Sequence, residues 1–510
     1  MQKLVMRLFS LIVLLLVTIC SNAQQLVLPG DHPDPSMVRI GNEYWATGTT
    51  SNWFPAFPLY HSTDLIHWKA GGHVFTKKPD WVERYMWAPE ITYENGKVWM
   101  YYTARKKGGN LCVAVAVADK PQGPFQDIGP VVCQDDGSID AFPMRDENGK
   151  LYLIWKEDGN SVGKPTPIWA AEMKEDRTAL IGEKHELFRA DMPWEHGLVE
   201  GVSIIKHNNY FYAFYAGAGC CGRACSYGTG VARAKNLLGP WEKYSGNPIL
   251  TDNEEWKCQG HGTPVEKNGK YYFLYHAYKA ESRPYTGRQG VLNEFKFTSD
   301  DWLQFLNKSD DKKGVQPKNI ADNFSKPQLN DNWHWSIFKN VQYTIANNTL
   351  QLQTLPFACG GYIGQTVLTK NYEAQITLLK TSSSKGGLAL IGDDENMLYA
   401  CVDNDKIRLV QLKKGKENVL AEKSISMPQA LIIKVKVINN TEATFMYSTG
   451  GKQFKVLNDG QTADASNLPP WDRAIRVGMI SKGEAGKVAM FKQFTLKNLG
   501  SVNQELGIRN

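Results

Sequence analysis

Five stretches of this chain share one pattern, a tight turn followed by an aromatic-rich run: "GNEYWATG" from Gly41, "NGKVWMYYTA" from Asn95, "NGKLYLIWK" from Asn148, "NNYFYAFYAG" from Asn208 and "NGKYYFLYHAY" from Asn268. Taking Tyr44, Val98, Leu151, Phe211 and Tyr271 as equivalent gives spacings of 54, 53, 60 and 60 residues. Asn-Gly or Asn-Asn between two strand-like runs marks a β-hairpin. A repeat of this length, with several strands per unit, has the dimensions of a propeller blade. The stretches between the turns agree: "LYHSTDLIHWKA", "VAVADKPQGPFQD" and "GVARAKNLLGPWEK" each read as a strand, a turn and an outer strand. The predicted fold class is therefore all-β, a five-bladed β-propeller over residues 24–310 followed by a β-sandwich domain over 320–500.

Ahead of each hairpin lies the segment expected to form the innermost strand: "HPDPSMVRI", "WAPEITYE", "SIDAFPMRD", "LVEGVSIIK" and "GHGTPVEK". Counting back from the anchors, Asp34 stands ten residues before, Glu90 eight, Asp140 eleven, Glu200 eleven and His261 ten. Inner strands surround the propeller channel, so groups at their shared start converge at one mouth of it. Asp34 lies between Pro33 and Pro35; proline fixes its own φ and biases its predecessor toward extended geometry, which makes this a stiff segment that aims a side chain. A single acid beside a proline is ordinary turn chemistry, but five titratable groups at one depth point to a functional site.

Glu90 apart, three carboxylates and a histidine, without a thiolate or a Gly-rich phosphate loop, leave divalent-metal binding or paired-carboxylate acid/base chemistry. Glycoside hydrolysis needs one carboxylic acid to protonate the leaving oxygen and one carboxylate to activate water or attack the sugar. A third carboxylate raises the acid's pKa by like-charge repulsion. Trp53, Trp87, Trp155 and Trp194 are candidates for stacking on sugar faces. With Trp87 close by, Glu90 is the weakest member of the ring.

Residues 26–310 resemble glycoside hydrolase family 43, through "HPDPS" at 32, "MWAPEI" at 86, "SIDAF" at 138, "LVEGV" at 198, the "GHGTPV" run at 260 and "GRQGVL" at 287. The resemblance implies five-bladed enzymes that invert anomeric configuration on arabinose- and xylose-containing glycans. It implies Asp34 as the base activating water, Asp140 as the orienting, pKa-raising acid and Glu200 as proton donor, with Asp34 and Glu200 roughly 6.5–9.5 Å apart to admit a water. It makes Trp87, Glu90, His261 and Arg288 substrate-binding candidates and His261 a candidate metal position. No cofactor is required, although a structural calcium in the channel is compatible with the family. Ala141 stands where relatives often carry proline, and Gly201-Val202 follows the acid where proline or histidine is commoner, so the subsite near Glu200 departs from the family pattern. The long loop "AGAGCCGRACSYGTG" from Ala216 is expected to overhang the pocket and shape specificity.

Lys3 and Arg7, the apolar run from Leu8 to Cys20 and the small residues before Gln24 read as a signal peptide over 1–23, too short for a comfortable membrane span. The protein is thus expected to be secreted or periplasmic; a lipid anchor on Cys20 is the lesser alternative, because Ile19 fits a lipoprotein cleavage site poorly. Cleavage lowers the formal charge from +6 to +4. Without a dense basic stripe, no nucleic-acid partner is expected. Eight cysteines remain; Cys220, Cys221, Cys225 and Cys258 suggest one or two disulfides in a loop, with zinc a weaker reading for want of paired CxxC spacing.

Beyond the charged stretch at 300–319, "TLQLQT", "YEAQITLL", "KIRLVQL" and "LIIKVKVI" alternate with period two and predict a two-sheet sandwich. It resembles the concanavalin-like domain attached to many family 43 glycosidases. It is expected to brace the propeller; glycan binding through Trp333 or Trp335 is the sharper alternative. The expected function is an inverting exo-glycosidase of plant polysaccharide side chains or oligosaccharides, an α-L-arabinofuranosidase or β-xylosidase. A β-D-galactofuranosidase, a non-catalytic glycan-binding propeller and a protein-interaction scaffold are the rivals.

Overall fold

The computed structural model describes residues 24–306, 314–380, 385–451 and 453–500. The expected signal peptide, with Cys20, lies outside the described residues. Among those described, two short 3-10 turns, Gly159–Val162 and Pro193–Glu195, interrupt a chain built of strands, and no helix is long and apolar enough to cross a membrane.

Four blades follow one another in sequence, each a four-stranded antiparallel sheet. Their inner strands are Ser36–Ile40, Val82–Glu94, Ser138–Arg145 and Val199–His207. The fifth blade runs outward from Trp256–Lys267 through Lys270–Lys279 to Arg288–Phe297. The N-terminal strand Gln25–Leu28 then pairs with that last strand, Gln25 opposite Leu292, and closes the ring. Hairpin chemistry is as the turns dictate: Asn95 and Gly96 sit at φ 53° and 75°, and Asn268 and Gly269 at 53° and 77°, the left-handed pair of a type I′ turn. The second strands are aromatic because they lie mid-blade and are covered on both faces. Five buried clusters, one between each pair of neighbouring blades, hold the ring together; Trp45, Phe57 and Tyr102 anchor the first of them.

The second domain packs two antiparallel sheets around a single core. Tyr372–Leu379 and Ala430–Ile438 bury alternate residues, the pattern of a half-covered sheet. Strands Met397–Asp403 and Arg476–Lys482 of the other sheet are buried almost throughout, because that sheet's outer face packs against Trp53 of the propeller. A two-stranded antiparallel pair, Trp53–Phe54 with Trp335–Ser336, stitches the domains together. Trp333 and Trp335, the alternative glycan-binding candidates, are used for this architecture. Trp333 is buried in the sandwich core and donates Nε1–H to Asp322 (3.0 Å), and Trp335 packs on Phe54 across the interface.

Candidate active site

One backbone device recurs at the channel mouth. The inner strands of blades two to five each carry a register shift there, between Trp87 and Glu90, Ile139 and Phe142, Glu200 and Ser203, and Gly260 and Gly262. At each shift one residue turns left-handed: Ala88 (φ 42°), Asp140 (57°), Gly201 (62°) and His261 (46°); Asp34, just ahead of the first inner strand, matches them at 50°. Bulges re-aim side chains and are found next to active sites. Asp34 is therefore left-handed rather than extended as Pro35 would favour, at a strain of about 1–3 kcal/mol. The strained position is held by its N–H donating to His276 Nδ1 (3.0 Å) and by Thr49 Oγ1–H donating to Oδ2 (2.7 Å).

The same device explains where Glu90 falls. Ala88 occupies the turning position in blade two, and Glu90 lies two residues beyond it. Instead of the sugar-binding wall expected for it, Glu90 lines a buried cavity of 10 Å³ that it shares with Asp140 and His261, and it accepts a hydrogen bond from Thr263 Oγ1 (3.3 Å).

The three central carboxyls have unlike surroundings. Burial pushes Asp34 up, but Arg288 and then His261 outweigh it and hold it well below the usual carboxylate range; Arg288 Nη1 donates to Oδ1 at 3.0 Å. His276 is itself neutral, since burial and then Arg288 push it down to about 4. Asp140 is raised to about 7, mainly by burial, with the facing charges of Glu200 and Asp34 adding and His261 opposing. Its Oδ2 accepts from Gly201 N–H (3.0 Å). Gly201 is glycine by necessity, since a Cβ there would lie 2.7 Å from His261 Cγ.

Glu200 differs from the sequence expectation. Burial raises it, but Lys156 Nζ, donating to Oε2 at 2.6 Å, and Tyr227 O–H, donating to Oε1 at 2.8 Å, outweigh that and lower it. Repulsion from Asp140 is present, yet the ammonium prevails; the pair's proton rests on Asp140.

These groups open into a pocket of 480 Å³, within the range for small-ligand sites. Of the four candidate stacking tryptophans, Trp87 lines it; Trp53, Trp155 and Trp194 pack elsewhere. Trp87 stacks on Tyr85 (centroids 4.5 Å) and meets Trp471 edge-to-face (5.9 Å). Trp471 comes from the sandwich domain and is 55% exposed. Its neighbour Asp472 accepts from Ser51 and, through its carbonyl, from Arg288 Nη2 (3.0 Å). Cys220 and Cys221 form a disulfide in the pocket wall, Cys225 pairs with Cys258, and Cys112 with Cys133, while Cys359 and Cys401 are buried free thiols.

Residues 23–303 match the family profile Glycosyl hydrolases family 43, and residues 321–497 match the Beta xylosidase C-terminal Concanavalin A-like domain. The chain belongs to glycosyl hydrolase family 43. It is 31% identical over 270 residues to a xylan 1,3-beta-xylosidase from Vibrio sp, covering 49% of this chain and 48% of that one. It is 22% identical over 518 residues to the non-reducing end alpha-L-arabinofuranosidase BoGH43B of Bacteroides ovatus, covering 90% of each. The chain spans about half the length of the xylosidase relatives it matches. The crystal structure of BlXynB from Bacillus licheniformis superposes with a TM-score of 0.79 at 25% identity, over 93% of this chain and 100% of that one.

As a metal position in this family 43 chain, His261 presents Nδ1 at 3.5 Å from Asp34 Oδ1 and 3.9 Å from Asp140 Oδ2. Calcium takes about 6–8 oxygen ligands. Among the described residues no three His, Cys, Asp or Glu side chains gather to hold a metal, and the 10 Å³ cavity beside His261 has room for about one water. The donor set does not fit a protein-caged calcium.

Sequence reasoning missed Lys156, Tyr227, His276, Trp471 and Asp472. Lys156 and His276 stand inside the repeat itself, at the ends of "LYLIWK" and "FLYH", where polar residues interrupt buried strands. That interruption was the available signal.

Proposed function

We propose that this chain is a secreted, inverting, exo-acting glycoside hydrolase releasing α-L-arabinofuranosyl or β-D-xylosyl units from plant polysaccharide side chains or oligosaccharides. The observation that carries the reading is a set of three buried carboxyls with unlike partners around one pocket: Asp34 against Arg288, Asp140 against the Gly201 N–H, and Glu200 against Lys156 and Tyr227. Such a division is what acid/base glycoside hydrolysis requires.

In this mechanism Asp34 accepts a proton from a water as the water oxygen bonds to the anomeric carbon. The bond to the leaving oxygen breaks, and Glu200 delivers the proton of the Asp140–Glu200 pair to that oxygen. Arg288 and Thr49 fix the orientation of Asp34; Tyr227 and Lys156 fix that of Glu200. The names of the relatives, a xylosidase and an arabinofuranosidase, support the sugar classes. A second reading, favoured by the Lys156–Glu200 contact, exchanges roles, with Asp140 as donor and Glu200 orienting it.

The test is release of para-nitrophenol from α-L-arabinofuranoside, β-D-xyloside and β-D-galactofuranoside, comparing the parent with Glu200→Ala and Asp140→Asn. Turnover of one glycoside by the parent, with the matching oligosaccharide cleaved by the parent and by neither variant, supports the reading. The variant of the true donor keeps most of its rate on aglycones that leave without protonation, which decides between the two assignments. A glycan-binding propeller would turn over none of them, and a β-configured product from a β-xyloside, read by proton NMR, would overturn inversion.

A further inference from the structure

The loop at 217–228 is tied down beyond what covering a pocket requires. Cys225–Cys258 anchors it to the inner strand of blade five, three residues before His261. Arg223 Nη2 donates to Ser466 O (2.6 Å) and Tyr285 Oη (2.8 Å), joining it to the sandwich. A Cβ on Gly222 would lie 3.2 Å from Trp471 O, so the loop and the Trp471 segment touch. Within this frame Cys220 and Cys221 are bonded to each other, half-buried, and line the pocket together with Trp471. The loop springs from Tyr210–Gly217, the strand in which Ala216 lies opposite Glu200, and returns through Tyr227, which donates to Glu200.

Two adjacent cysteines joined by their sulfurs make a small ring that has lost its side-chain rotamers. Sulfur is polarizable and weakly polar, so the ring offers a rigid apolar surface, and little entropy remains to be lost when a ligand packs on it. It stands on the loop that supplies the Glu200 hydrogen bond, and the proton donor faces the departing oxygen. We propose that the Cys220–Cys221 disulfide, with the Trp471 indole, forms the subsite for the sugar on the leaving side of the scissile bond, packing against its C–H face. This rests on the glycosidase reading above and adds the aglycone to it: a sugar with an extended apolar face, such as a xylopyranose unit of a backbone or oligosaccharide.

The experiment compares the parent with the double variant Cys220→Ser, Cys221→Ser on xylotriose, arabinotriose and the matching para-nitrophenyl glycosides. On the oligosaccharide the parent cleaves, kcat/KM is expected to fall about tenfold, mostly through KM, and by more than on the aryl glycoside. A second measurement does not depend on turnover. Calorimetric binding of the same oligosaccharide to Asp140→Asn is expected to weaken about tenfold when the two serines are added, with the melting temperature recorded for each protein. If the serine pair does not fold, brief reduction of the folded parent, with opened disulfides mapped by mass spectrometry, replaces it. Unchanged binding, or a loss confined to kcat, overturns the subsite. A parent that neither cleaves nor binds any glycan overturns the glycosidase reading, and the subsite with it.

Discussion

Replacing Lys156 by methionine removes a buried ammonium 2.6 Å from Glu200 Oε2 while keeping a side chain of similar length. Two unit charges about 3 Å apart attract by roughly 5 kcal/mol at an effective dielectric of ~20. That is a ceiling, because Asp158 and Asn160 also hold Nζ, each at 2.9 Å; a close opposite charge typically moves a carboxyl by about 1–3 pH units. The sign follows from the role. A proton donor must be protonated, so kcat/KM falls as pH rises through its pKa. Lys156 favours the Glu200 carboxylate and pulls that alkaline limb down, so Lys156→Met is expected to move the limb up by about 1–3 pH units. The acidic limb belongs to Asp34, whose charge is held by Arg288, and stays in place. The assay is the pH dependence of kcat/KM on an oligosaccharide that the parent cleaves, whose leaving oxygen needs the proton, with Lys156→Arg as the charge-retaining control. A folded methionine variant whose alkaline limb coincides with that of the parent refutes the argument that Lys156 sets the donor.

Gly201→Ala places a Cβ 2.7 Å from His261 Cγ at a residue with φ of 62°; a stability loss of about 1–3 kcal/mol is expected in denaturant melts, together with lower kcat, and an unaltered variant would contradict the packing. Burial raises Glu90 from 4.5 to about 8, so its contribution to stability is complete below the unfolded value and lost as pH rises through the folded one. Glu90→Gln, which stays neutral, should accordingly gain melting temperature relative to the parent as pH rises between these values; a pH-independent difference would count against a protonated Glu90. Chelation with EDTA is expected to leave activity intact, since His261 has too few oxygen partners for calcium; loss restored by added calcium would put an ion there.

Much of this was legible because a propeller repeats. Asp34, Asp140 and His261 fall on the turning residue of their blades and Glu200 immediately before it, so counting from aromatic anchors found them. Glu90 shows where counting stops. Eight residues before its anchor rather than ten, it missed a bulge whose turning residue is Ala88, and an acid two positions along an inner strand lands below the pocket. Lys156 was hidden for a different reason: the sequence displays like charges at repeated positions, but the cation that reverses their effect reaches Glu200 from 44 residues away.

The sandwich was legible as a fold and not as part of the site. Period-two alternation declares strands, but says nothing of the segment around Trp471, which follows "LPP" and has no repeat to place it. That segment does more than close the pocket. Arg288, whose Nη1 holds the Asp34 carboxylate, gives Nη2 to Asp472 O, while Asp31, three residues from Asp34, accepts from Ala474 N–H (2.9 Å) and pairs with Arg476 (3.3 Å). Both sides of the base are therefore fixed by one stretch of the second domain. A propeller cut free of its sandwich would keep its three carboxyls and lose the contacts that orient the first of them, so its kcat/KM is expected to fall below that of the full chain even where the isolated propeller folds.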